Sequence, residues 1–360
     1  MSAIAPSVAP AAAYRVALVM IARDEAPRIE RALASFAPFV DECVVLDTGS
    51  RDDTVSRARR AGARVCHFSW IDDFAAARNA ALEIAGADWH VIVDADEWLA
   101  DGGEAIAALR RQSPSFVGSV RVDSDDDSSQ RATHTSSWIS RVLPGKVRYA
   151  GRVHEQPQHA LPVRRLNIRF GHDGYLGAQR IAKAGRNRAL LEAAVRAAPQ
   201  EAYLHYQLGK DHDVYERYAE ALACFANAEA LLKGQAPAWC HDLAVRRLHA
   251  LKRCGRHAEG LQRADLELAR WGESPDFFFA LGDLLLDWAA DEPQRAGELL
   301  PLIESAWQRC LALGERPELE GAVAGRGSHL AAANLVMLYE QLGQPALAEP
   351  YRPLLSPALT

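Results

Sequence analysis

Four short apolar runs, separated by stretches of helical periodicity, fill the first hundred residues, and that alternation leaves few folds open. VALVMIA, Val16 to Ala22, reads as a buried first strand; Cys43 to Leu46 reads as a second, Arg64 to His67 as a short third, and the run at Val91 as a fourth. Between them lie a helix opened near Pro27 and reaching Phe36, one that ends at Ala61, and one from Asp73 to Ala85. The resulting β-α-β-α-β-α-β order predicts an α/β domain, Rossmann-like, with a mostly parallel sheet flanked by helices.

Open sheets of this kind bind ligands beyond the carboxyl ends of their strands. Here those ends are acidic: Asp24 and Glu25 follow the first strand, Asp47 the second, and Asp94 and Asp96 close VIVDADEWL, Val91 to Leu99. Carboxylates along one sheet edge suit a divalent cation, a ribose or both, whereas isolated ones are ordinary turn residues. Asp52 and Asp53 precede an apolar-periodic helix and read better as caps than as ligands. No glycine-rich loop follows the first strand, which counts against a dinucleotide site, a P-loop or a nucleotidyltransferase. Phosphate charge then falls to metal and side chains, for which Arg78 and Asn79 in FAAARNAAL are the candidates.

MIARDE (Met20 to Glu25), VVLDTGSRDDT (Val44 to Thr54), FSWIDDFAAARNAAL (Phe68 to Leu82) and VIVDADEWL, in this order and spacing, resemble the family 2 glycosyltransferases with a GT-A fold. The bacterial subgroup with lipopolysaccharide-core glucosyltransferases and sublancin-type peptide S-glycosyltransferases is the most similar type, over residues 15 to 180. The resemblance implies an inverting transferase that uses a nucleotide-sugar, usually UDP-linked, with Mg2+ or Mn2+. It places Glu25 and Asp47 at the nucleoside, Arg78 and Asn79 near the donor, Asp94 near the ribose, and Asp96, with Asp94 beside it, at the metal.

Phe116 to Val122 reads as another strand, and the Asp- and Ser-rich stretch Asp123 to Ser137 as a surface loop or hairpin tip. Ser137 to Val142 and Lys146 to Tyr149, across Pro144-Gly145, read as a β-hairpin leading to Gly151-Arg152-Val153-His154-Glu155. Displacement at an anomeric carbon leaves the acceptor a proton to lose, which a carboxylate or imidazole can take. The subgroup has a similar R-x-H-E segment, which implies Glu155 as base and His154 as its neighbour; the more usual family pattern puts the base in an E-D pair. A strand from Val163 to Phe170 leads to Gly171-His172-Asp173-Gly174-Tyr175, and the subgroup's H-x-G-Y segment implies that His172 reaches diphosphate or metal. Arg180, Lys183, Arg186 and Arg188 then crowd one helix start, as a solvated basic face or a phosphate contact.

From Gly177 onward strand signals vanish. With 360 residues there is room for a second domain, and this half reads as an all-α tetratricopeptide-like repeat domain. Gly209, Ala221, Phe225 and Ala228 fall at the spacing of one unit, with looser units at 244–268, 278–313 and 329–348. Such arrays recruit peptides or protein partners, or self-associate. Trp239, Trp271, Trp288 and Trp307 read first as core.

The division expected is a disordered tail over 1–13, a GT-A domain over 14–176 and repeats over 177–360. The net charge of −6 argues against a nucleic-acid binder. Six scattered cysteines form no C-x-x-C pair, as expected of thiols in a reducing cytosol. No stretch is apolar enough to span a bilayer, so the expected location is cytoplasmic or peripheral at the inner membrane. The leading function is metal-assisted transfer of a hexose, glucose first, from a UDP-sugar to a saccharide such as lipopolysaccharide core. A peptide or protein acceptor is the second reading, and a catalytically silent scaffold the third.

Overall fold

The computed structural model describes residues 13–126, 133–173 and 177–355; the tail read over 1–13 falls outside it but for residue 13. The chain forms two compact units, one of residues 1–123 and 138–174 and the other of 124–137 and 175–360.

In the first unit the expected strands form as β1 (Val16–Ala22), β2 (Glu42–Asp47), β3 (Arg64–His67) and β4 (Trp89–Ile92), alternating with α1 (Ile29–Phe36), α2 (Thr54–Arg60) and α3 (Phe74–Ala85). All three pairings, β1 with β2, β1 with β4 and β2 with β3, are parallel. β1 is buried on both faces because its side chains alternate between two cores. Val16, Leu18 and Met20 pack with Ile29, Ala32, Leu33 and Phe36 of α1, while Ala17 and Val19 pack with Ala81, Leu82 and Ala85 of α3. The α1 residues recur at i, i+3, i+4 and i+7, all fully buried. Each of the larger side chains stabilises the unit by about 1.5–3 kcal/mol. Asp73 caps α3 by accepting from the Ala76 N–H at 2.8 Å.

Beyond β4 the unit departs from a plain alternation. The acidic run does not end in a loop: Glu97–Asp101 is a strand, β5, followed by α4 (Gly103–Ala108). Then come β6 (Val117–Asp126), β7 (Thr133–Pro144), β8 (Arg148–Ala150), β9 (Gln156–Gln158) and β10 (Val163–His172). The sheet order is β3-β2-β1-β4-β7-β6-β10-β5, so it is parallel over β3 to β4 and mixed beyond, with β7 antiparallel to β4 and β5 antiparallel to β10.

Two local expectations change. The Asp123–Ser137 stretch is strand as far as Asp126 and again from Thr133; 127–132 lie outside the described residues. β8 does not pair back onto β7 across Pro144-Gly145 but pairs with β9, Tyr149 opposite Pro157. Gly145 N–H is taken by the Asp88 carbonyl at 2.8 Å, and Asn79 clamps Tyr149 with two backbone hydrogen bonds, 2.9 Å to its carbonyl and 2.8 Å from its N–H. These bonds hold β8 on α3.

The second unit holds α5 (Gly177–Ala197), α6 (Ala202–Val214), α7 (Tyr218–Leu231), α8 (Cys240–Arg253), α9 (His257–Trp271), α10 (Pro275–Asp291), α11 (Ala296–Leu313), a short strand β11 (Ala322–Val323), α12 (His329–Gln341) and α13 (Pro345–Ala348). The four expected repeat units are the helix pairs α6/α7, α8/α9, α10/α11 and α12/α13. Small residues set two of the crossings. A Cβ on Gly209 would sit 2.5 Å from the Phe225 ring, and one on Gly282 would sit 2.5 Å from Trp307 Nε1. Trp288 and Trp307 are core, and Trp239 and Trp271 are partly buried. Within this unit β11 pairs antiparallel with Thr135 and Ser136, near the start of β7. No helix among the described residues is long and apolar enough to cross a membrane.

Candidate active site

The carboxyl end of β4 runs into a tight turn, Glu97 N–H donating to the Asp94 carbonyl at 3.0 Å, and β5 leaves from it. The turn sends its carboxylates to different partners. Asp94 Oδ1 accepts from Arg78 Nη2 on α3 at 2.7 Å, and its Oδ2 accepts from Arg141 Nη2 on β7 at 2.7 Å. Arg78 Nε donates to Glu155, so one guanidinium joins the D-A-D turn to the R-V-H-E segment. Arg141 Nη2 also donates to Glu97 Oε1 at 2.5 Å, and Glu97 Oε2 accepts the Asp94 N–H at 2.8 Å. Tyr149 lies beside Arg78, its ring centroid 5.6 Å from the guanidinium carbon.

This cluster is charged and largely buried: Arg78 and Arg141 are 9% and 7% exposed and Glu97 only 2%, while the Asp94 side chain stays 33% exposed. Burial alone would raise the Asp94 pKa, but the Arg141 and Arg78 charges outweigh it and hold the carboxyl well below the usual carboxylate range. Burial dominates at Glu97 and pushes it upward, with the Asp94 charge adding to that. Both arginines stay protonated. Burial also pushes the Tyr149 phenol up to about 12.

Asp96 turns the other way. Its Oδ2 lies 3.6 Å from His172 Nε2, on the strand where His172 stands opposite Glu97. Burial would depress His172, but the hydrogen bond to Asp96 and the surrounding carboxylates raise its pKa. Next to it Asp173 pairs with Arg28 at 3.0 Å and Arg31 at 2.5 Å, and Arg28 reaches Glu25 at 3.3 Å. The carboxylate is a ligand of the kind Mn2+ or Mg2+ accepts, and the imidazole beside it, which transition metals take more readily than Mg2+, favours Mn2+, with substrate oxygens completing the shell. No group of three or more His, Cys, Asp or Glu suited to a metal occurs among the described residues. The Asp96–His172 pair thus fits a cation shared with phosphate, whereas Asp94, expected at the ribose and metal, has both oxygens on guanidinium groups.

Of the other expected residues, Asp47 faces its own turn, accepting from Gly49 N at 3.2 Å and Ser50 N at 3.1 Å, with His67 Nδ1 at 3.2 Å. Burial raises its pKa less than these hydrogen bonds lower it. Of the two expected caps, Asp52 accepts from Thr54 N at 2.9 Å and from Ala26 N at 3.1 Å, whereas Asp53 holds the N-cap position of α2 without a side-chain cap bond. Asn79 is engaged by Tyr149 rather than turned to a donor. His154 is exposed, with φ of +49°. Gly174 and Tyr175 of the H-x-G-Y segment, and the side chains of Arg180, Lys183 and Arg186, lie outside the described residues. Arg188 pairs with Asp211 at 2.7 Å and is not a solvated cation.

Sequence reasoning missed Glu97 and Arg141. Glu97 stood in plain view as a third acid in VIVDADEWL. Arg141 carried a signal too, a lone charge in the strand run WISRVL whose alternation puts it on the face of Leu143.

Residues 17–168 match the family model of Glycosyl transferase family 2. A TPR repeat-containing protein of Synechococcus elongatus is 38% identical over 55% of this chain and 52% of its own length. The SPbeta prophage-derived glycosyltransferase SunS of Bacillus subtilis is 28% identical over 56% of this chain and 50% of its own. The chain thus spans about half the length of the curated relatives it matches. Among solved structures, glucosyl-3-phosphoglycerate synthase from Mycobacterium tuberculosis in complex with Mn2+ and UDP-glucose is 26% identical over 31% of this chain and 43% of that chain. Its TM-score of 0.26 is too low to carry ligand or site over to this chain.

Proposed function

We propose that this chain, whose residues 17–168 are a Glycosyl transferase family 2 domain, transfers a hexose, glucose first, from a UDP-sugar to an acceptor with inversion. One observation carries the reading: at the carboxyl end of β4 a single turn sets Asp96 beside His172 of β10 and, through Asp94 and Arg78, holds Glu155. Asp96 and His172 would hold Mn2+ or Mg2+, which when bound supplies positive charge to the departing diphosphate. Glu155 takes the acceptor proton, and Arg78 orients it. Glu25 and Asp47, beside the same strand ends, are assigned to the nucleoside side. His154 borders Glu155 at the open edge of this segment.

The acceptor assigned first is a saccharide such as lipopolysaccharide core, met in the cytoplasm or at the inner face of the membrane. The second reading, a peptide or protein acceptor, is favoured by the four helix pairs of the second unit, an architecture that presents extended surface to chains. The deciding experiment is a nucleotide-sugar screen by hydrolysis and thermal shift, with and without Mn2+, on wild type and Asp96→Ala. Support is a metal-dependent response to one UDP-sugar that the variant loses. Activity surviving in the variant would remove the metal assignment, and silence toward every donor would leave a scaffold without catalysis.

A further inference from the structure

Arg141 lies in β7, one residue past the Val142–Val91 pairing with β4. Strand alternation puts it on the face of Leu143, which is the face α3 covers and the side from which Arg78 approaches. There it makes the first link of a ladder of alternating charge: Arg141 to Asp94 at 2.7 Å, Asp94 to Arg78 at 2.7 Å, Arg78 to Glu155. Its second bond, to Glu97 at 2.5 Å, ties the start of β5 to the same guanidinium, and Glu97 returns a bond to the Asp94 N–H. Both ends of the D-A-D-E turn, Asp94 and Glu97, are therefore tied to one guanidinium. With Arg141 absent, Asp94 could settle onto Arg78 alone, and Arg78 would no longer be held at one angle toward Glu155.

We infer that Arg141 is a positioning residue: it fixes Asp94 and, through Arg78, the carboxylate of Glu155, without itself meeting donor or acceptor. This rests on the transferase reading above. Small misplacements of a reacting group lower rates by about 10²-fold. The same change leaves ground-state donor binding largely intact, because the Asp96–His172 pair hangs from the opposite side of the turn.

The test compares Arg141→Lys and Arg141→Met with wild type, using Mn2+ and UDP for binding by calorimetry and UDP-glucose hydrolysis for turnover. The expected result is a kcat down about 10²-fold in the Met variant, partly restored in the Lys variant, with KM for donor and the UDP Kd within threefold. A kcat within threefold of wild type, or parallel losses of kcat and UDP binding, would overturn the positioning role. The melting temperatures of Arg141→Lys, Glu155→Gln and the double variant give a readout independent of activity. Coupled shifts support the ladder, and additive ones refute it even if wild type hydrolyses no donor, a result that by itself removes only the transferase reading.

Discussion

Replacing Arg78 with methionine removes a cation shared by the D-A-D turn and the R-V-H-E segment. Its side chain is 11% exposed, Glu155 is 10% exposed and Asp94 is 33% exposed. Breaking a buried pair by deleting one partner costs about 3–5 kcal/mol, because the survivor keeps an uncompensated charge. Asp94 retains Arg141 and some water, so only Glu155 is stranded outright, and about 2–4 kcal/mol is expected. For a unit of this size that is a melting temperature lower by about 4–16 °C. Scanning calorimetry of the full chain measures it, alongside Arg78→Met/Glu155→Gln, in which the stranded charge is gone. The double variant should recover about half of the loss. A single variant that melts within about 2 °C of wild type, or a double variant less stable than the single one, would refute the claim that Arg78 neutralises Glu155.

Three further outcomes follow from the helical unit. Gly282→Ala drives a methyl to 2.5 Å from the fully buried Trp307 indole. Overpacking of about 1–3 kcal/mol exceeds the helix-propensity gain of about 1 kcal/mol, so chemical denaturation should show net destabilisation, and a stabilised variant would show that the crossing has room. Ser274 caps α10 by accepting from Phe277 N at 3.0 Å and also meets His241 Nε2 at 2.7 Å; Ser274→Ala should therefore cost about 2–4 kcal/mol and Ser274→Thr much less, by the same assay. Burial would raise the Asp242 pKa, but Arg246, Lys210 and the Tyr206 hydroxyl hold it well below the usual range. Its stabilisation is thus present above the unfolded value near ~4 and is lost as pH falls below that; in Asp242→Asn the melting temperature should fall less steeply between pH 6 and pH 3, both figures chosen as roughly bracketing that value.

How much of this could be read from the chain depended on whether the signal was local. The four parallel strands and three helices follow from apolar periodicity, which is why β1 to β4 and α1 to α3 stand where expected. Gly209 with Ala221, Phe225 and Ala228 was legible because a fixed spacing encodes one helix crossing. Strand β5 was not, since the acids of DADEWL mask a strand whose pairing partner, β10, is about seventy residues away. The β8–β9 pairing was hidden for the same reason: Asn79, remote in sequence, decides where Tyr149 goes. Arg141 is the sharpest case, because the run around it reads as core and only the carboxylates of a different strand end make its burial tolerable.

The two aspartates of D-A-D are two residues apart, a spacing that in a continuing strand would put both on one face. The chain instead turns after Ile92, and the turn divides them: Asp94 folds back toward α3 and β7, and Asp96 points to β10. That division changes what substitution of either residue can mean. Loss of activity in an Asp94 variant would follow from releasing Arg78 and Arg141, and with them Glu155, whether or not any metal is involved. Loss in an Asp96 variant touches His172 and leaves the arginine ladder intact. A metal role is therefore argued from Asp96 and His172 together, through metal-dependent binding that falls while the Arg78–Glu155 pair persists. Asp94 variants report instead on how the Asp96–His172 pair and the Arg78–Glu155 pair are held in register.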